Sequence, residues 1–539
     1  MKFLLARVCG VPRLHAVHVS MWVCVWLMGL NAGTLLAQPV ATQKPRVTHK
    51  ATKQEAATHE INATSTGDVG HLPSDVQAAL QRAKLPPDAL SVVITDVSGH
   101  APRLSHHARV PINPASLMKL VTTQAALDLL GPAFVWRTPV YLDGSLRDGV
   151  LQGNVYIRGS GDPRLNVERL WLMMRRLQGL GVTRIQGDIV LDRSAFEITA
   201  RDAGSFDGEP LRPYNAAPDA LLINFKSLLV HFVPDRASAT PAVARVHVEP
   251  PMAGVQVPAS VPLSRDDCSD YRSALRADWS EPTRIRFAGS YPLACGERVW
   301  PIAYSAPAQF LPRAIAGMWQ QLGGQLSGQV RDGIVPSQLS PAFVSESPAL
   351  SEVVRDINKY SNNVMAQQVF LTLSQQAAAP VNGLVASATG GGVSGSNAIG
   401  VGRFEDSRQV VLRWWRERLG ASDGSDAPVL ENGSGLSREE RISALAMARL
   451  LQYAWQQPTM SELMSSLPVT GMDGTLKRSK AQSVAHLKTG SLRDVAGVAG
   501  YVDGPKGRRW VLVAILNHPN ANAGRPALDA LIDWAAQQP

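Results

Sequence analysis

Apolar positions along this 539-residue chain change their spacing several times, and each change predicts a different kind of element. Met21 to Leu36 is a nearly continuous apolar run, preceded by Lys2, Arg7 and Arg13 with no acidic residue before it. The run is short for a membrane span and is interrupted by Gly29, Asn31 and Gly33, so it reads as an export leader over 1–37, cleaved near Ala37. An uncleaved anchor is the alternative. Residues 38–70 lack apolar periodicity and are rich in Thr, Ala, Gln and Lys, the composition of a flexible linker.

Beyond 70 the periodicity of folded elements sets in. Ser74-Asp75 reads as a helix cap before an amphipathic stretch to about Ala83, and Leu90–Asp96 as a strand closed by Ser98-Gly99. A helix containing Ser116 and Lys119 is predicted to run to about Leu130 and stop at Gly131-Pro132. From about 136 the texture becomes short β-like runs, such as Gly153–Arg158, Asp188–Asp192 and Ala244–Val248, with helices at Val167–Leu180 and Pro312–Leu322. The proline of the latter suits a first helical turn. We place an inserted β-rich module of two subdomains at 140–300, expected to shape access to a cleft. It divides a domain made of 71–139 and 301–539. Residues 345–374 return to helical spacing. Strands are predicted from Ala485, over Val495–Val502 and over Trp510–Leu516, with a covering helix at 524–537. The fold class is α+β, an antiparallel sheet covered by helices.

Composition narrows the possibilities. A hydrophobic content of 45% supplies packed cores. The net charge of +9 is dispersed among acids, which excludes a nucleic-acid stripe and leaves peripheral association with an anionic envelope open. Of four cysteines, Cys9 and Cys24 fall in the leader. The remaining pair, Cys268 and Cys295, is expected to form one disulfide in an oxidising compartment, with two buried thiols as the alternative. No C-x-x-C or H-E-x-x-H string occurs, so no metal or other cofactor is predicted. Gly390–Gly395 spells G-x-G-x-x-G but follows a polar Gln/Ala tract rather than a strand, and reads as a loop.

Three short strings carry chemistry. Ser116-Leu117-Met118-Lys119 puts a hydroxyl and an amine one helical turn apart, where the amine can act as base. Ser361-Asn362-Asn363 can direct a hydroxyl and an amide into a cleft from a turn. Lys488-Thr489-Gly490-Ser491 opens the C-terminal strands, with a glycine expected to let a bound acyl chain approach the strand edge. Each string alone is common; the three in this order are specific. His486 shares a strand face with Lys488 and reads as packed or solvated. Trp414-Trp415, tempting as a sugar platform, reads as core.

With these strings the chain resembles the D-alanyl-D-alanine carboxypeptidase/endopeptidase family, the class C low-molecular-mass penicillin-binding proteins. Gly159–Pro163, Pro213–Ala216, Asn432–Ser437 and Asp473–Leu476 add to the resemblance, which covers roughly 75–537. So does spacing: 245 residues separate Ser116 from Ser361 and 127 separate Ser361 from Lys488, too long a first interval for a compact β-lactamase.

The resemblance implies a transpeptidase-like domain with inserted domains, a periplasmic location, and peptidoglycan stem peptides and β-lactams as partners. It makes Ser116 the nucleophile, Lys119 the base, Ser361 a proton relay and Asn363 a substrate or lysine contact. Lys488, Thr489, Gly490 and Ser491 would bind substrate, Lys488 and Thr489 through its carboxylate. The backbone N–H groups of Ser116 and Ser491 would form the oxyanion hole. A β-lactamase or esterase on the same scaffold, or a catalytically silent binding module, are the competing readings.

Overall fold

The computed structural model describes residues 69–235, 242–377, 400–420 and 426–539. The expected leader, nearly all of the expected linker and the G-x-G-x-x-G string lie outside the described residues.

The central sheet is antiparallel and five-stranded, in the order Ala485–Leu492, Val495–Asp503, Arg509–Asn517, Leu90–Asp96, Leu104–His106. Strand alternation sorts its side chains between two apolar layers. Val511, Val513 and Ile515 face one core, formed with the helices Lys119–Leu130, Leu350–Tyr360, Asn363–Ala377, Phe404–Arg418 and Ala444–Gln456. Leu512, Ala514 and Leu516 face another, covered by Ser74–Arg82 and Arg525–Ala536. Both faces are therefore dry, and the strands read as nearly continuous apolar runs. Trp414 and Trp415 are buried in the first core, as expected. Among the described residues no helix is long and apolar enough to cross a membrane.

Two further sheets lie between the halves of this body. One is seven-stranded: Arg137–Arg147 and Val150–Arg158 form its central hairpin, and Arg184–Ile185, Ile189–Asp192, Gln325–Leu326, Val330–Asp332 and Phe343–Glu346 complete it. The other is five-stranded and includes Ser227–Pro234, Val243–Glu249 and Arg298–Ala303. The two sheets and the helices Val167–Gly179 and Pro307–Gln321 share one hydrophobic core. Because Phe343–Glu346 pairs with Arg137–Val140, the sheet continues well past residue 300, where the change of texture had set the module's end. The strands responsible are two to four residues long, too short to show a period. Cys268 and Cys295 are disulfide-bonded in this region, with Cα atoms 4.7 Å apart.

Two local expectations change. Ser74 is the first helical residue rather than the cap, which is Pro73 and makes no side-chain cap bond. Pro312 lies inside its helix, whose N-terminal proline is Pro307.

Candidate active site

Ser116 sits in a single 3₁₀ turn, Ala115–Met118, that feeds directly into the Lys119–Leu130 helix. In a 3₁₀ turn residues three apart eclipse one another, so the turn stacks Lys119 on Ser116 more directly than an α-helix would. The turn is braced. Ala115 takes a left-handed φ of 48°, and Asn113 Oδ1 accepts from its N–H at 2.8 Å. Asn113 is held in turn by Asn517 and by the Ser437 carbonyl.

Lys119 is fully buried. Its Nζ lies 2.9 Å from Ser116 Oγ and donates to Asn363 Oδ1 at 2.6 Å and to the Ser434 carbonyl. A neutral amine has two N–H donors and one lone pair. Asn363 Oδ1 and the Ser434 carbonyl accept only, so they take the two N–H groups and leave the lone pair to the Ser116 hydroxyl. Burial lowers the ammonium's pKa to about 7, against an opposing pull from Glu440. The amide of Asn363 is oriented by its other end, where Nδ2 donates to the Tyr214 carbonyl at 3.4 Å.

Ser361 ends the Leu350–Tyr360 helix in a left-handed conformation, φ 56°. The next helix starts at Asn363 with Asn362 Oδ1 accepting from Met365 N at 3.0 Å. This break turns Ser361 toward Lys488, whose Nζ donates to Ser361 Oγ at 2.9 Å and to the Thr489 carbonyl at 2.7 Å. Burial first, and repulsion from Lys119 second, hold Lys488 well below the ordinary lysine range. Thr489 Oγ1 donates to Thr475 Oγ1 at 2.8 Å. Ser491, exposed, accepts from Arg525 at 2.9 Å.

Gly490 has a packing reason of its own: a Cβ there would meet the Pro114 carbonyl oxygen at 2.5 Å, so the glycine lets the strand close on the serine turn. Gly435 does the same from the opposite wall, where a Cβ would lie 1.9 Å from the Ala115 carbonyl oxygen.

Ser116, Lys119 and Asn363 thus form one linked set, and Ser361, Lys488 and Thr489 a second. Sequence reasoning gave no role to the Ser434 and Tyr214 carbonyls, Thr475, Asn113, Arg525 or Glu440. Backbone carbonyls have no residue signature, and only the strings Asn432–Ser437, Pro213–Ala216 and Asp473–Leu476 pointed near some of them. Asp473 pairs with the buried Lys359 at 2.6 Å and so anchors the Thr475 turn. Asp162 pairs with Arg169 at 2.6 Å. His486 is half-buried, and burial lowers its pKa. Among the described residues, one group of potential metal ligands occurs, Asp88, His106 and His107, with ligand atoms within 4.8 Å of one another. It contains none of the residues above.

A layered α+β body in which a serine touches a buried lysine defines the class, a penicillin-binding-protein-like fold. The D-Ala-D-Ala carboxypeptidase 3 (S13) family model matches residues 72–388 and 405–538, and the chain belongs to that family. It is 27% identical over 462 residues to a D-alanyl-D-alanine carboxypeptidase of Actinomadura sp. (strain R39), covering 81% of this chain and 79% of that one. It is 25% identical over 415 residues to D-alanyl-D-alanine carboxypeptidase DacB of Haemophilus influenzae, with 75% and 80% covered. The crystal structure of penicillin binding protein 4 (dacB) from Haemophilus influenzae superposes with a TM-score of 0.63 at 21% identity, over 85% of this chain and 99% of that one, a likeness of fold. The chain is accordingly a hydrolase with a peptidoglycan carboxypeptidase role.

Proposed function

We propose that this is an exported D-alanyl-D-alanine carboxypeptidase/endopeptidase that works through an acyl-enzyme on Ser116 and is acylated by penicillins. The observation that carries the reading is the Lys119 amine between Ser116 Oγ and two pure acceptors. Ser116 Oγ attacks the carbonyl carbon of the terminal D-Ala–D-Ala bond and gives its proton to neutral Lys119. The oxyanion meets the backbone N–H groups of Ser116 and Ser491, each such donor being worth about 3 kcal/mol. Collapse breaks the C–N bond; Ser361, within reach of Lys488, gives its proton to the leaving amine and is resupplied with the proton that Lys119 took from Ser116, which returns Lys119 to its neutral form. Lys488 and Thr489 hold the substrate carboxylate. Water then cleaves the Ser116 ester. Export is supported by the apolar leader with its preceding bases and by the Cys268–Cys295 bond.

Incubation of purified protein with a fluorescent penicillin tests the mechanism. Stable label that is lost in Ser116→Ala is the expected result. An unlabelled native protein refutes serine acylation, and rapid release with turnover points instead to a β-lactamase. Mass analysis of digested muropeptides then separates loss of terminal D-Ala from cutting of cross-links.

A further inference from the structure

The wall of the cleft opposite the Lys488 strand is the loop 431–435, and it is organised by a side chain that belongs to none of the three strings. Glu440 is fully buried. Its Oε1 accepts from the N–H groups of Glu431 at 3.1 Å, Asn432 at 3.0 Å and Gly433 at 2.9 Å. Those three donors set the path of a loop that touches the serine–lysine helix at successive residues. The Gly433 carbonyl accepts from Thr122 at 2.6 Å, the Ser434 carbonyl accepts from Lys119, and Gly435 packs against Ala115 and Ser116.

We propose that Glu440 is a positioning residue for Lys119: its carboxylate holds the loop that presents the Ser434 carbonyl, and supplies a negative charge that acts on the Lys119 amine. This rests on the reading of Lys119 as the base. Lys119 and Lys488 are both fully buried, and neither has a carboxylate within ion-pairing distance among the described residues. Glu440 is the acid that acts on Lys119 through space. The carboxylate form suits the site, because three N–H donors converge on one oxygen and nothing nearby accepts a proton from the other. Burial raises the Glu440 carboxyl above its ordinary value; the three N–H groups oppose that rise, and the neighbouring Glu431 adds a little to it. The charged groups facing this pair are therefore Lys488 from the strand and Glu431 from the loop.

Two roles can be separated experimentally. Glu440→Gln keeps an oxygen acceptor for the loop and removes the charge; Glu440→Ala removes both. The acylation rate of the intact protein with a fluorescent penicillin is followed from pH 5 to pH 9. Lys119 works as base only when neutral, so the acid limb reports its proton. Losing a buried carboxylate makes that proton easier to remove, and the limb of Glu440→Gln moves down by about one pH unit. Glu440→Ala shows the same shift with a plateau roughly tenfold lower, as the loop loosens.

An unshifted limb in Glu440→Gln overturns the proposal, whatever the alanine variant does. If neither variant folds, carbon-13 NMR of the glutamate carboxyls in native protein and in Lys119→Met decides. Coupling is reciprocal, so Glu440 must titrate higher without Lys119, and equal midpoints overturn the proposal. A native protein that is not acylated sinks the acyl-enzyme reading but leaves this second measurement intact.

Discussion

The inserted module and the cleft treat buried charge in opposite ways. In the module, Asp219 is almost fully buried with Lys226 at 2.8 Å and Arg193 at 2.5 Å. Burial alone would push its carboxyl up, yet the two cations hold it below the ordinary value. In the cleft, Lys119 and Lys488 are equally buried, but their partners are hydroxyls, an amide and carbonyls. A buried charge with its counter-charge in contact is locked in one state. A buried amine with only neutral partners can change state near neutral pH, which is what a base requires. The difference is between charge used as a fastener and charge kept available.

Three variants test that contrast, in order of expected effect. Lys119→Arg keeps a cation but one that does not lose its proton, so penicillin acylation falls by about a thousandfold or more. Near-native acylation in a folded Lys119→Arg variant would show that positive charge, not a free lone pair, is what the site needs. Asp219→Ala removes the anion that Arg193 and Lys226 share, leaving Lys226 buried without a carboxylate and Arg193 with only the exposed Asp332 at 2.9 Å, and stability measured by urea unfolding drops by about 3 kcal/mol. Lys119→Met acts in the other direction. The folded-state pKa is lowered, so between about 7 and 10.5 the unfolded chain binds the extra proton, and native stability rises with pH across that window. Below it, burial of the ammonium costs the native protein several kcal/mol, offset in part by three hydrogen bonds. Lys119→Met is therefore more stable than the native chain by about 2 kcal/mol at pH 6, and the gain shrinks toward pH 10. A gain that is constant with pH would contradict a titrating Lys119.

Much of this was legible in the chain because side-chain chemistry and strand period are local. Ser116, Lys119, Ser361, Asn363, Lys488 and Thr489 stood out by type and order, and the C-terminal strands by their apolar runs before and after Asp503-Gly504. What was hidden is non-local or made of backbone. The central sheet takes its fourth and fifth strands from residues 90–106, nearly 400 positions before its other three. Tyr214 matters at Asn363 through its carbonyl, which any residue type would carry. Glu440 reads as one more acid in Arg438-Glu439-Glu440-Arg441 until its burial is known.

The helix that begins at Asn363 carries Gln368, and that side chain has implications for modularity. Its Nε2 donates to the Gly161 and Asp219 carbonyls at 3.0 and 2.8 Å, while its Oε1 accepts from Asp219 N at 2.9 Å. Five residues of helix, about 7.5 Å, separate this rivet from the amide that touches Lys119. The module is inserted by sequence but spliced by geometry. Exchanging it for another by cutting at its chain ends would leave Gln368 without its three partners and unseat the first turn behind Asn363. A workable graft has to carry the Gln368 helix along with the module, so the unit that can be inherited whole is larger than the unit that can be read as a domain.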